Sequence, residues 1–398
     1  MEVNSDKYKM SEVGLIPSDW VEKNFSDICW VNQGLQIPIS RRLTSPSKSS
    51  KIYITIQYLN EGKTTEYIDD YVPSVCCSKE DVLMTRTGNT GIVVSGVEGV
   101  FHNNFFKINF NSEKIDKIYV IYYLNRSDTK KIILAKAGTS TIPDLNHKDF
   151  YSIPIPLPPT KAEQTAIATA LTDADALISS LEKLIEKKRN IKQGAMQKLL
   201  QPKEGWVVKK LGEIANIVRG ASPRPIEDPK WFDQNSQIGW VRISDVTKSV
   251  KILTETTQKL SELGIQSSRY VEEGNLIMSI CATVGRPILT RINVCIHDGF
   301  VVFRNPQVEI DYLYYFLSFI EKDWSKNGQT GSQMNLNTTL INTTEIPIPP
   351  TKVEQTRIAI ILSDMDAEIA ALETKLEKYR NIKLGMMQNL LTGKIRLV

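Results

Sequence analysis

Histidine and cysteine are scarce: the 398 residues hold three of the first, at His102, His147 and His297, and five of the second, at Cys29, Cys76, Cys77, Cys281 and Cys295. The histidines stand far apart in the sequence, so a zinc site or a histidine-activated nucleophile would need an unusual convergence in space. No C-x-x-C pair occurs, and adjacent Cys76 and Cys77 are poor disulfide partners, which leaves buried thiols as the expectation. Long apolar runs are also missing. The longest, Tyr312 to Ile320, is under half of the ~20 residues that a bilayer span requires, and the opening MEVNSDKYKM has no apolar signal core. A cytoplasmic chain without a membrane partner is expected.

Catalytic signatures are absent as well. Gly393-Lys394 is followed by Ile395 and has no glycine five residues before it, so it is no phosphate loop. Neither an N/D-P-P-Y/F element nor a G-x-G after an apolar strand is present, the parts with which an adenine methyltransferase would hold its cofactor and flipped base. Asp173 and Asp175, like Asp364 and Asp366, are two apart and point away from each other on a helix. No cofactor and no metal nuclease site are expected.

What is present is ample core material: 41% hydrophobic residues, 24% charged, and a net charge of +4 from 49 basic and 45 acidic side chains. This length implies more than one domain. The chain also contains itself twice. Pro159 to Leu200 recurs as Pro350 to Leu391 without a gap, at an offset of 191, with 26 of 42 positions identical. Shorter echoes lie upstream: Asp19 to Gly34 with Gly205 to Gly220, Asp81 to Gly91 with Asn275 to Gly285, and Leu145-Asn146 with Leu336-Asn337. A period near 190 residues signals a duplicated domain and excludes a solenoid.

Each long copy opens on a proline ladder, IPIPLPPT at Ile153 and IPIPPT at Ile346, which favours extended backbone. Thr160 and Thr351 then precede Glu163 and Glu354 by three residues, the spacing of a capping box. Apolar residues follow at alternating steps of four and three, from Ile358 through Leu362, Met365, Ile369, Leu372, Leu376 and Tyr379 to Leu390. The first copy repeats the seam from Ile167 to Leu199, except that Lys188 interrupts it as a register device or solvated gap. Two such helices in one chain are expected to pack on each other, with the globular parts at opposite ends. The alternative is that each helix buries its stripe against its own globular half. The fold expected is α+β: two similar mixed α/β domains, 1–158 and 202–349, each followed by a helical segment, 159–201 and 350–398, the helices forming an antiparallel coiled coil with a pseudo-twofold repeat.

The IP-x-P-P-x-x-E-Q-x-x-I-A run from Ile346 to Ala359, its longer version at Ile153 to Ala168, the terminal LLTGKIRL and the W-x-x-K-x-L/F-x-D/E-I signature at Trp20 and Trp206 carry a resemblance. Over nearly its whole length the chain resembles the DNA-specificity subunit of a Type I restriction-modification system. One departure stands out: Leu199-Leu200 is followed by Gln201-Pro202-Lys203 instead of T-G-K-x-R. The resemblance implies a non-catalytic subunit that reads a bipartite target in double-stranded DNA, one domain per half-site. Its helices would set the spacing and dock two modification (adenine methyltransferase) subunits, with restriction subunits joining the assembly.

Read on its own, the sequence offers two basic loops. Arg41, Arg42, Lys48 and Lys51 lie in a stretch from Ile28 to Asn60 that has no acidic residue, where adjacent arginines suit a phosphate clamp and a bidentate guanine contact. A merely solvated basic loop is the alternative. The matching stretch of the second half holds Arg219, Arg224, Lys230 and Trp231, diluted by Glu227, Asp228 and Asp233. Arg86 and Lys136 sit in Gly- and Thr-rich turns, where backbone N–H groups could meet phosphates. Their counterparts are Ile280 and Asn327. On the helices, Glu163, Gln164, Arg189 and Lys192 repeat as Glu354, Gln355, Arg380 and Lys383, which suits docking the same partner twice or, equally, a solvated helix face. A divergent methyltransferase or nuclease, and a coiled-coil adaptor that never touches DNA, remain as rival readings.

Overall fold

In a computed structural model, residues 7–61, 65–138, 143–327 and 336–397 are described. The opening six residues and positions 139–142 of the turn after Lys136 fall outside them, and nothing is said of the side chain of Asn327. Contacts gather the chain into two compact units, residues 1–182 with 374–398 and residues 183–373.

The units share their main strand orders. In the first, an antiparallel sheet runs in the order Cys29–Gln33, Phe105–Phe110, Val82–Thr85, Val93–Ser95. In the second, the same order is Asn216–Arg219, Phe300–Arg304, Leu276–Ser279, Pro287–Thr290, with Ile252–Leu253 added in parallel at the edge. A second sheet has a parallel central pair in each: Lys51–Ile54 with Gly99–Phe101, and Gly239–Val241 with Val294–Ile296. Runs such as VLMT and LIMS are buried at all four positions, as strands covered on both faces must be.

The proline ladders form edge strands. Pro154–Leu157 pairs with Val21–Asn24, and Glu345–Ile348 with Val207–Lys210. Tyrosine hydroxyls donate to proline carbonyls behind them: Tyr119 to Pro156 and Tyr123 to Pro154 at 2.6 Å, and Tyr312 to Pro347 at 2.5 Å. Proline's missing N–H is harmless at an edge. Thr160 Oγ1 accepts the N–H of Glu163, and Thr351 Oγ1 that of Glu354, so the threonines cap both long helices, Lys161–Leu199 and Lys352–Leu390.

Each 39-residue helix, ~58 Å long at ~1.5 Å per residue, is divided between the units near its midpoint. Its apolar stripe changes partner accordingly. Ile167, Ala168 and Leu171 join the core around Tyr119, Tyr123 and Phe150, and Ile358, Ala359 and Leu362 join that around Tyr312 and Tyr315. The start of each stripe thus serves its own globular part, and its end joins the core of the other unit, Leu390 and Leu391 in the first and Met196 and Leu200 in the second.

Ion pairs show the antiparallel register within each unit. Lys383 meets Asp175 at 2.5 Å and Arg380 meets Glu182 at 2.6 Å in the first unit. Lys192 meets Asp366 and Arg189 meets Glu373 in the second. These are the same two pairs, displaced by the repeat. Lys188, which breaks the apolar seam, pairs with Glu368 at 2.6 Å.

Of the thiols, Cys29, Cys77 and Cys295 are buried, and burial pushes their pKa up to about 12, 11 and 12. Cys76 and Cys281 are only half-buried, contrary to the expectation for all five, because Cys76 opens a two-residue edge strand and Cys281 lies two residues beyond the strand that ends at Ser279. No helix among the described residues is long and apolar enough to cross a membrane.

Candidate nucleic-acid interface

Antiparallel neighbours enter and leave a sheet at the same end. The exits of Cys29–Gln33 and Val82–Thr85 and the entry to Phe105–Phe110 therefore coincide, and three loops meet there. The second unit brings together the exits of Asn216–Arg219 and Leu276–Ser279 and the entry to Phe300–Arg304. Each basic loop of the sequence starts from this end.

The backbone of the junction is the same in both units. Gly34 N–H donates to Phe105 O at 3.3 Å and Leu35 N–H to Phe101 O at 3.1 Å; Gly220 N–H donates to Phe300 O at 2.9 Å and Ala221 N–H to Ile296 O at 3.1 Å. Arg86 N–H reaches Asn104 O at 2.7 Å, and Ile280 N–H reaches Gly299 O at 2.8 Å. Leu145 and Leu336 close the cluster through N–H bonds to Arg86 O and Ile280 O, while Asn146 and Asn337 cap the short helices that follow. The two glycines are required by close approach. A Cβ on Gly34 would lie 2.2 Å from Phe101 O, and one on Gly220 would lie 2.0 Å from His297 O.

His102 and His297 hold the inner turn. Nδ1 of His102 accepts the N–H of Asn104 at 3.1 Å, and Nδ1 of His297 accepts that of Gly299 at 2.9 Å. Their rings lie against Tyr53 and Trp240, with centroids 5.7 and 5.8 Å apart. Burial lowers both imidazole pKa values, so the neutral tautomer protonated on Nε2 fits these bonds. The sequence reading passed over these residues as isolated histidines. The signal was there in H-N-N-F at His102 and H-D-G-F at His297.

The candidate cations differ in freedom. Arg41 and Lys48 are exposed and form no ion pair with any described residue. Lys51 lies 5.9 Å from the Tyr71 ring centre. Arg42 is used internally: it donates twice to Ile37 O, pairs with Glu66 at 2.9 Å and sits over Tyr53. Arg86 is likewise a strut, bonded to Leu145 O and Asp144 and stacked on Phe106. Lys136 donates to Ser152 Oγ at 2.9 Å.

In the second unit Arg219 and Arg224 converge on Asp298, Nε of the first on its carbonyl at 2.8 Å and Nη2 of the second on its carboxylate at 3.1 Å. The hydroxyl of Ser222, at 2.7 Å, and then Arg224 hold the Asp298 carboxyl below its usual pKa despite desolvation. Lys230 pairs with Asp228 and covers the Trp231 ring at 4.4 Å, while Trp231 Nε1 donates to Pro225 O.

The repeated helix residues are mostly engaged within their own units. Gln164 accepts the N–H of Asp116 at 2.9 Å, and Gln355 that of Glu309 at 2.8 Å, tying each long helix to its globular part. Glu163 is bound by Arg396. Arg189, Lys192, Arg380 and Lys383 form the interhelical pairs already described. Of the six charged residues, Glu354 alone forms no ion pair with a described residue. The recurrence of the other three positions therefore has an intrachain cause.

Residues 17–193 and 203–379 each match the family model described as the Type I restriction modification DNA specificity domain. The chain is 23% identical over 414 residues to the type I restriction enzyme MjaVIII specificity subunit of Methanocaldococcus jannaschii, covering 96% of this chain and 94% of that protein. In fold it is similar to a chain of a type I R-M system solved for its complex assembly and conformational transition (TM-score 0.63, 17% identity, 96% of this chain and 99% of that one). It is also similar to the S subunit of a Type-I restriction-modification system from M. genitalium (TM-score 0.57, 17% identity, 97% and 98%). With one strand order built twice, and both copies within the matched segments, the chain belongs to the type I restriction-modification DNA specificity family.

Proposed function

We propose that this specificity subunit, itself non-catalytic, reads a bipartite target in double-stranded DNA, one half-site per recognition domain (1–158 and 202–349). The observation that carries this reading is the loop junction, which recurs on one backbone with different side chains. Two identical junctions would read the same sequence twice; two that share only their scaffold suit different half-sites. Arg41, Lys48 and Lys51 on one side, and Arg224 and Lys230 beside Trp231 on the other, supply the positive charge that phosphates require, while Arg219 stands at the junction itself.

Exchanging residues 36–51 for those of another family member is expected to change the bases of one half-site and leave the other intact. Methylated-base mapping in cells carrying the assembled system reads this directly. A change in both half-sites would overturn the bipartite assignment; a change in neither, with the chain still folded, would place base reading outside this loop. Binding of S-adenosylmethionine by the purified chain alone would favour the methyltransferase rival. A duplex affinity insensitive to salt would favour the adaptor, because phosphate contacts release counterions.

The same proposal has the helices dock two modification subunits, through which restriction subunits join. With most repeated charges paired internally, exposed apolar residues offer the better face: Val353 is 80% and Ile360 54% exposed, one heptad apart beside Glu354. Their counterparts in the first helix, Ala162 and Thr169, are also exposed and each carries a methyl group, so the two faces are alike in place and differ in bulk. Val353→Asp with Ile360→Asp should weaken co-purification of the modification subunit at least tenfold (~1.4 kcal/mol) while melting stays unchanged. Full co-purification would move the docking face elsewhere.

A further inference from the structure

At the end of each first sheet strand, the side chain before the junction glycine reaches the residue after the junction histidine. Gln33 Nε2 donates to Asn103 O at 3.4 Å, and Arg219 Nε donates to Asp298 O at 2.8 Å. These four residues occupy matching places, 33 with 219 and 103 with 298. Around them the glycine contact, the histidine turn and the strand pairing are common to both units. What differs is the chemistry of two side chains on a fixed frame.

We propose that these two positions determine base specificity, the Gln33/Asn103 pair in the first half-site and the Arg219/Asp298 pair in the second. This rests on the bipartite reading above and deepens it.

Each pair suits a different base. Gln33 is neutral and carries both a donor and an acceptor, the complement of adenine's N6 donor and N7 acceptor in the major groove, and the Asn103 carbonyl holds its amide in place. Arg219 spends Nε on the Asp298 carbonyl, a bond that fixes the plane of its guanidinium and leaves its outer nitrogens for guanine O6 and N7. Arg219 is exposed, and the carboxylate of Asp298 is taken up by Ser222 and Arg224. The first half-site therefore has an adenine, and the second a guanine, at the base pair facing this corner.

The test exchanges the pairs in the assembled complex. Arg219→Gln with Asp298→Asn gives the second unit the residues of the first, and Gln33→Arg with Asn103→Asp does the reverse. Methylated-base mapping should show the second half-site losing its guanine requirement by at least about tenfold in discrimination, with the first half-site unchanged. The reverse exchange should bring in a guanine preference. Unchanged base preferences in a complex of wild-type melting temperature would overturn the proposal. So would uniform weakening on all sequences with a salt dependence shallower by about one unit, since Arg219 would then be gripping phosphate. If the exchange of residues 36–51 moves one half-site while the pair exchange moves none, the pair assignment fails and the bipartite reading stands; if neither moves a base, the bipartite reading fails.

Discussion

Gly220→Ala is expected to unseat the second recognition loop and abolish methylation at the native target. The new methyl carbon would lie 2.0 Å from His297 O and 2.7 Å from Ile296 O; Ile296 ends a sheet strand, and His297 O is held by the N–H of Phe300 at 3.0 Å. Neither can turn aside as a flexible side chain would. Relief requires the loop to back away, which breaks the N–H bonds of Gly220 and Ala221 to Phe300 and Ile296. The cost should reach or exceed ~3 kcal/mol, the upper end for an overpacked site. Gly34→Ala should act in the same way on the first unit, with Phe101 O at 2.2 Å and His102 O at 2.3 Å. Thermal melting of the complex and methylated-base mapping check both. Wild-type melting with intact methylation would mean that the strand ends part freely.

Arg396→Ala should destabilise the first unit by ~2 to 3 kcal/mol. Glu163 is only 1% exposed, and Arg396 binds it with Nε and, at 2.8 Å, with Nη2, while Nη1 holds Asp19 at 3.0 Å. Removing the guanidinium leaves a buried carboxylate without its cation, a loss of ~3 to 5 kcal/mol when both partners are buried. The smaller figure applies because Arg396 keeps about a third of its side chain in water. Arg396→Lys should recover part of the loss, and Glu163→Gln with Arg396→Ala should cost less than Arg396→Ala alone. Denaturant melting of the four proteins decides this. Equal midpoints for Arg396→Ala and wild type would show the pair contributing nothing.

Much of this was legible because duplication prints a fold twice. Periodicity and the Thr160 and Thr351 caps located the long helices, and the echoes ending at Gly34 and Gly91 marked the two halves as one fold, since residues that survive in both copies are those the backbone needs. The partners of polar side chains were not legible. Arg42 and Arg86 read as DNA contacts, yet a guanidinium near a carbonyl, a carboxylate and a ring finds its bonds inside the protein. Their partners, Glu66 and Asp144, are 24 and 58 residues away. Likewise Glu163 reads as the far side of a capping box, and its carboxylate instead meets an arginine 233 positions on. The resemblance to T-G-K-x-R pointed to Arg396 without saying what it holds. The histidines were set aside for standing far apart, although His102 and His297 hold the same place in their halves.

The division of the chain also bears on synthesis. Residues 183–373 form an uninterrupted unit, whereas the first unit is completed by residues 374–398, with Leu390 and Leu391 joining the core of Ile16 and Trp20. On a ribosome the unit encoded second can close before the one encoded first. A frameshift in the codons for residues 374–398 would then strike the unit that begins about 370 codons upstream.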